Sequence, residues 1–220
     1  MFFLKRLHFN KIKYNGKTNR VIIHTVDGRI ITNPRYVRRY RIVFHGQNAT
    51  IEIFEPCVLN GSLFVLYDGD YFTIKKTVGE IFVIGGALCS GHTRLFIDEG
   101  CSLNNTKFYM NSRPNTFIEL GRDCMFSFDV SIWASDTHQI INNKTKQVVN
   151  NEVHGVSIGD HVWCGTRVTI LKGTHIANNS VIGAASVVSG KFVEPNIVIA
   201  GNVAKKIKSN IDWLREPLPE

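Results

Sequence analysis

The sequence predicts an all-β chain wound into a parallel β-helix, and three features carry that prediction. From residue 158 an aliphatic or small apolar residue returns every six positions, at Ile158, Cys164, Ile170, Ile176, Ile182 and Val188. Four places after each stands a second series, Val162, Val168, Thr174, Ser180, Ser186 and Phe192, mostly small or β-branched. A period of six fits neither the 3.6 of a helix nor the plain alternation of a sheet with one wet face. Residues 156–200 also hold fourteen Ile and Val against a single Leu, Leu171, a composition that suits strands. Short strands with a turn after each hexad, coiled so that equivalent residues stack about 4.8 Å apart, bury both series and satisfy the backbone through parallel ladders.

Residues 1–50 lack the hexad but alternate, as in Tyr40-Arg41-Ile42-Val43-Phe44, with turn signals at Asn15-Gly16, Asp27-Gly28 and Asn33-Pro34. These read as β-hairpins. Over 51–96 the pattern is strand-like but irregular, as expected of degenerate early coils. Hexads then recur at Ile97 and Leu103, and at Leu120, Phe126 and Ile132, with Cys101, Cys124 and Val130 at the second inward position. The frame slips twice: by one residue between Leu103 and Leu120, assigned to the neighbourhood of Arg113-Pro114-Asn115, and between Ile132 and Ile158, where a segment within 134–157 must be extruded. The expected organisation is a basic hairpin region over 1–50, a β-helix domain over 51–208 and a tail over 209–220.

The chain has 220 residues and a formal net charge of +8, but residues 1–45 carry eleven Lys and Arg against one acid, Asp27. An anionic partner should therefore meet that end first. Five scattered cysteines show no CxxC or paired zinc-ligand spacing, which points to reduced thiols and a cytoplasmic setting. Cys101, Cys124 and Cys164, at inward hexad positions, read as small buried hydrophobes. Met1-Phe2-Phe3-Leu4 is interrupted by Lys5 and Arg6, and the longest apolar run, counting glycine, is nine residues over 81–89. Neither a signal peptide nor a membrane span fits.

Three segments carry a more specific pattern: Ser135-Asp136-Thr137-His138 followed by the resumed Val156-Ser157-Ile158-Gly159-Asp160-His161-Val162-Trp163-Cys164-Gly165, then Ile182-Gly183-Ala184-Ala185-Ser186, then Ile199-Ala200-Gly201-Asn202-Val203-Ala204-Lys205-Lys206. Together they resemble the hexapeptide-repeat acyltransferases, and more narrowly the bacterial sugar O-acetyltransferases of maltose, galactoside and surface-polysaccharide type. The likeness covers roughly residues 95–208. It implies a left-handed coil, a homotrimer with active sites between subunits, acetyl-CoA as cosubstrate and no metal. Acetyl transfer to a sugar hydroxyl needs a base during attack, and a neutral imidazole suits the task. The resemblance assigns that role to His138, with Asp136 as the group orienting it; Glu152 is the alternative, and an Asx turn is the structural reading of Asp136. Trp163, outward on its hexad, either stacks on sugar or cofactor or packs between subunits. The backbone N–H of Gly165 is a candidate oxyanion donor. For coenzyme A the resemblance points to Gly165, Thr166, Ala184, Ser189, Lys205 and Lys208: small residues for the pantetheine arm, lysines for phosphates. Two positions depart from the family, Val203 where Pro is usual and Ser189-Gly190 where Thr-Lys is usual.

The function implied is acetyl-CoA-dependent O-acetylation of a bacterial surface carbohydrate such as a capsule, polysialic acid or lipopolysaccharide sugar, with N-acetylation of a nucleotide-linked amino sugar as the nearest alternative. A non-catalytic β-helix module binding polyanions is the alternative of another class. A zinc site of the γ-carbonic anhydrase kind is disfavoured, because His154, His161 and His175 lack its spacing. No nucleic-acid motif is present. The basic N-terminal region suits an anionic glycan or the inner face of a membrane carrying anionic lipid.

Overall fold

The computed structural model describes residues 9–86, 91–110, 114–150 and 155–216. They form a left-handed parallel β-helix of triangular cross-section. In the regular part each rung contributes one strand to each of three faces. Val156–Ile158, Trp163–Cys164 and Thr169–Ile170 make one rung; His175–Ile176, Val181–Ile182 and Val187–Val188 make the next. Equivalent strands pair in parallel, so that Ser157 sits over His175, Trp163 over Val181 and Thr169 over Val187.

The six-residue beat follows from this geometry. One apolar residue per strand points inward, and Cys164, Ile170, Ile176, Ile182 and Val188 are all sealed from solvent. The second series fills the corners, where Thr174 Oγ1 donates to the Leu171 carbonyl at 2.6 Å and Ser186 Oγ to that of Gly183 at 2.7 Å. Small hydroxyls are tolerated inside because the corner carbonyls accept from them. The chain turns each corner through a left-handed residue: Asp123, His161, Asn179 and Asn196 between the first and second faces, Asp129, Arg167 and Ala185 between the second and third. Asn and Asp adopt that conformation more readily than other side chains. The turn aims an amide at the preceding rung, as in Asn179 N to Asp160 O at 2.9 Å and Ala185 N to Thr166 O at 2.8 Å.

The buried cysteines behave as expected: Cys101, Cys124 and Cys164 are wholly enclosed, and burial pushes the Cys164 thiol far up. The slip before Leu120 lies elsewhere than its turn residues suggested. Leu103 and Phe108 are both inward and five apart, with the short turn at Asn104-Asn105, where Asn105 is left-handed. From Phe108 to Leu120 a full extra hexad is accommodated at the next corner, so the Pro114 region lengthens the coil without shifting its frame. Residues 111–113 of that corner lie outside the described residues.

Of the hairpins expected in the basic segment, the one around Asp27-Gly28 forms, with Arg20–His24 antiparallel to Ile30–Thr32. Asn15-Gly16 and Asn33-Pro34 do not close hairpins among the described residues; Phe9–Lys11 pairs antiparallel with Tyr36–Arg38 instead, across the intervening hairpin. Two of its strands also stack in parallel on the coil, Arg20–His24 on Thr50–Phe54 and Arg41–Phe44 on Leu63–Leu66. Val21, Ile23, Ile42 and Phe44 are buried as inward residues. With no regular second face in these first turns, the chain keeps strand alternation and loses the hexad. Among the described residues no helix is long and apolar enough to cross a membrane.

At the other end of the chain residues 209–216 fold back as a strap over the corner at Asp123 and His161. Arg215 donates to Asp123 Oδ1 at 2.7 Å, Ser102 Oγ at 2.9 Å and the carbonyls of Gly100 and Cys124 at 2.9 and 3.1 Å. The Trp213 ring, 5% exposed, stacks on His161 at 4.1 Å, and its Nε1 donates to the His161 carbonyl. His161 Nδ1 lies 2.6 Å from Asp123 Oδ2 and Nε2 lies 2.9 Å from the Trp213 carbonyl. Burial disfavours charge on this imidazole, but Asp123, the Trp213 carbonyl and Asp212 outweigh it and raise its pKa.

Two predictions follow from the fold. Ile176→Ala should lower stability by about 2–5 kcal/mol in chemical denaturation, because the rungs on either side cannot close over the void. A raised folded-state pKa at His161 means that its contribution is fully present below the ordinary histidine value of about 6.5 and is lost as pH rises through the folded value. Amide exchange of residues 211–215 should therefore show the strap loosening, beyond the intrinsic rate change, from about pH 6 to about pH 9, and His161→Gln should flatten that dependence. Equal protection at both pH values in the unmutated protein would contradict the assignment.

Candidate active site

The longest excursion from the coil in the hexad region follows the Ser131–Trp133 strand. There the chain leaves the corner between the third and first faces and re-enters at Gly155, so the next rung begins with Val156–Ile158. Gly155 is required at the re-entry: a Cβ there would lie 2.4 Å from the Phe117 ring. The excursion is an ordered hairpin. Ile141 and Val148 form an antiparallel bridge, and Asn142 Oδ1 accepts from the amides of Lys144 and Thr145 at 2.9 and 3.0 Å.

The base of this loop is tied by Asn150, which is nearly buried. Its Oδ1 accepts from the Ile140 amide at 2.8 Å, and its Nδ2 donates to Asp136 Oδ2 at 2.7 Å and to the His138 carbonyl at 2.8 Å. Lys172, from the rung below, forms an ion pair with the same Asp136 oxygen. The backbone that carries His138 is thus held from two directions while the side chain stays exposed. The imidazole borders a cleft of about 430 Å³ with Trp133, Asp136, Asn150, Lys172 and Ser189. Trp133 stacks on Tyr109 of the preceding rung at 4.0 Å, which stiffens that wall.

Of the residues expected from sequence, His138, Asp136 and Ser189 come together here. Trp163 does not join them. It lies on the second face, the side of the triangle opposite this corner, 38% exposed and tilted against Trp213 at 6.2 Å. Gly165, Thr166 and Ala184 share the corner between the second and third faces. Gly165 is dictated there by packing, since a Cβ would sit 2.7 Å from the Ala184 nitrogen. Its amide donates to the Ile182 carbonyl at 2.9 Å, so the expected role as oxyanion donor is ruled out: the rung ladder consumes that N–H. Lys205 and Lys208 lie on the last strand, Ala204–Lys208, antiparallel to Val198–Gly201 on the second face. Lys206 pairs with Glu194, whereas Lys205 and Lys208 are exposed and form no ion pair among the described residues. Glu152 and His154 fall outside the described residues. His161 is engaged by the strap and His175 by Ser157 Oγ at 2.7 Å on the first face, so the two histidines do not converge.

Asn150, Lys172 and Trp133 were missed from sequence. A signal was available for Trp133. A full rung is three hexads, so Leu171 and Ser189, 18 positions apart and both lining the cleft, occupy one column, and Trp133 heads that column once the extruded segment is set aside.

Comparison with known proteins gives no matching family model. A polysialic acid O-acetyltransferase of Escherichia coli O1:K1 / APEC is 36% identical over 98 residues, 44% of this chain but only 31% of that protein. WbbJ of Escherichia coli K12, named for O-acetyl transfer in lipopolysaccharide biosynthesis, is 33% identical over 141 residues, 59% of this chain and 69% of the relative. The chain thus spans under a third of the first of these relatives and about two thirds of the second. Among solved structures, the polysialic acid-specific acetyltransferase NeuO superposes with a TM-score of 0.80 at 25% identity, over 96% of this chain and 91% of the other. The polysialic acid O-acetyltransferase OatWY gives 0.72 at 27%, over 94% and 89%. Built as a left-handed coil on hexads, with a histidine-bearing loop at one corner, and alike in sequence and shape to these proteins, the chain belongs to the hexapeptide-repeat acetyltransferase family.

Proposed function

We propose that the protein is an acetyl-CoA-dependent O-acetyltransferase acting on a hydroxyl of a bacterial surface polysaccharide, with His138 as general base. The observation that carries this reading is an exposed imidazole on a tethered loop, opening onto a cleft where the chain makes its longest excursion from the hexad coil. In the proposed step the imidazole takes the proton of the acceptor hydroxyl as its oxygen attacks the thioester carbonyl carbon. The tetrahedral intermediate collapses by breaking the C–S bond, and the coenzyme A sulfur leaves with the proton returned by the imidazolium. No covalent enzyme intermediate is needed. Asp136 acts as a positioning residue: with Lys172 and Asn150 it fixes the strand of loop from which His138 projects. Coenzyme A phosphates are expected at Lys205 and Lys208, the cations left without acidic partners near the end of the coil.

His138 and Trp163 lie on opposite sides of one chain, so a site using both is assembled between subunits. A homotrimer provides it and also covers Ile140, Ile141 and Val149, which the extruded hairpin otherwise exposes. Similarity to proteins named as polysialic acid and lipopolysaccharide O-acetyltransferases supports a carbohydrate acceptor, the basic N-terminal region supports an anionic one, and the scattered cysteines suit a cytoplasmic location.

His138→Ala should reduce turnover about 10²- to 10⁴-fold, with acetyl-CoA binding unchanged by calorimetry. Acetyl transfer measured against polysialic acid, neutral galactosides and amino sugars identifies the acceptor class; near-normal turnover in the variant removes His138 from the mechanism. The intersubunit site has its own test. Mixing and reassembling His138→Ala with Trp163→Ala protein should restore activity well above either variant alone, because some clefts then receive both intact side chains. No recovery in mixed assemblies would place the two residues in separate roles.

A further inference from the structure

The first turns of the coil end in a surface unlike the rest of the molecule. Residues 9–45 carry nine Lys and Arg against Asp27 alone. Of these, only Arg29 has a carboxylate partner among the described residues. On the two-stranded sheet of Phe9–Lys11 and Tyr36–Arg38, Val37 points into the core, while Phe9 faces Arg38 and Lys11 faces Tyr36 across the strands on the solvent side. Arg35 lies over the Tyr36 ring. Beside it the Ile30–Thr32 strand forms the outer edge of the first face with every residue exposed, Ile30 at 63%, and Val26 at the hairpin tip reaches 73%. Scattered exposed apolar side chains occur elsewhere, as at Phe128, and need no explanation. Five of them, Phe9, Val26, Ile30, Ile31 and Tyr36, fall in the segment that carries these cations, with Glu55 the acid that borders Phe9, Tyr36 and Arg38.

We infer that this end of the β-helix docks on an anionic lipid bilayer. Charge alone would suit a soluble polyanion equally well, but such a ligand has no use for Val26, Ile30 and Ile31. A membrane interface takes both, aliphatic and aromatic side chains at the headgroup boundary and Lys or Arg against anionic headgroups. The orientation is also productive. On the first face, five strand-to-strand steps separate the Ile30–Thr32 edge from Phe117–Leu120, the rung that leads into the His138 loop, so the cleft begins roughly 25 Å above the docked end. Docking does not depend on the acyl-transfer reading. That reading only supplies what a surface-held enzyme would meet at this height, the outer sugars of a lipid-anchored glycan.

The test is co-sedimentation of the full chain with vesicles of phosphatidylcholine alone and of phosphatidylcholine mixed with phosphatidylglycerol. Partition onto the mixed vesicles only is expected, weakened by salt. Lys11→Ala and Arg38→Ala should each lower the partition coefficient roughly fivefold. Ile30→Asn, which leaves charge unchanged, should lower it about tenfold. All three positions are exposed, and unchanged thermal melting confirms folding. His138→Ala should bind vesicles normally, and Ile30→Asn should acetylate a soluble acceptor normally, so the two readings fail separately. The inference is overturned if the mixed vesicles are not bound. It is also overturned if Ile30→Asn binds them like the unmutated protein while the charge variants lose soluble polysialic acid, which would make the patch a polyanion site, or if the end proves to be covered by self-association through the Ile30–Thr32 edge.

Discussion

The structure depends on one constraint: no rung can bury its inward residues by itself. A strand of two or three residues has neither the length nor the area to form a core, and Ile176 or Ile182 is sealed only because neighbouring strands lie directly above and below. Stacking in register meets the need, since parallel ladders place like side chains over like at the strand spacing. Burial and backbone hydrogen bonding are therefore satisfied by the same act of coiling. This explains why the corners are so uniform. His161, Arg167, Asn179, Ala185 and Asn196 each both turn the chain and return an amide to the preceding rung, so a corner that failed in either respect would misalign every later strand.

The same constraint determines where chemistry can be carried. Inward positions are committed to packing, and strand amides to the ladder, as Gly165 illustrates. What remains are outward side chains and insertions at corners. The loop carrying His138 is such an insertion, and it borrows rigidity from the coil through Lys172 and internally through Asn150. The second aromatic system, Trp163 on Trp213 on His161, sits on the opposite side of the prism and takes its rigidity from the C-terminal strap.

Much of the coil was legible in the sequence because a single period, six, encodes strand, turn and core together. Both inward series from Ile158 to Val188, and the three cysteines at inward positions, are where that period places them. It fails where a rung deviates. The turn at Asn104-Asn105 saves one residue and the next corner adds six, and the two changes sum to a slip whose location the spacing alone misreports. The first turns, at Val21 and Ile42, were invisible as coil because two faces without a third leave only alternation. Within the site, His138 and Asp136 stood out because they mark the interruption. Asn150 and Lys172 did not, since a loop asparagine and a surface lysine have no periodic signature and their role comes from contacts made 14 and 36 positions away. Nor does local sequence indicate that Trp213, near the end of the chain, lies beneath a ring fifty residues earlier.

The tie made by Asn150 has a bearing on how such loops diversify. It joins residues 136 and 138 on the outgoing arm, and residue 140 beyond them, to the point of return, so the excursion is closed at its neck. Everything distal to that closure, from Ile141 to Val149, can grow, shrink or change its side chains without disturbing the imidazole or the rungs on either side. Under the proposed acetyl transfer, acceptor preference is then open to change at the tip of the loop while the root that holds His138 is inherited unchanged.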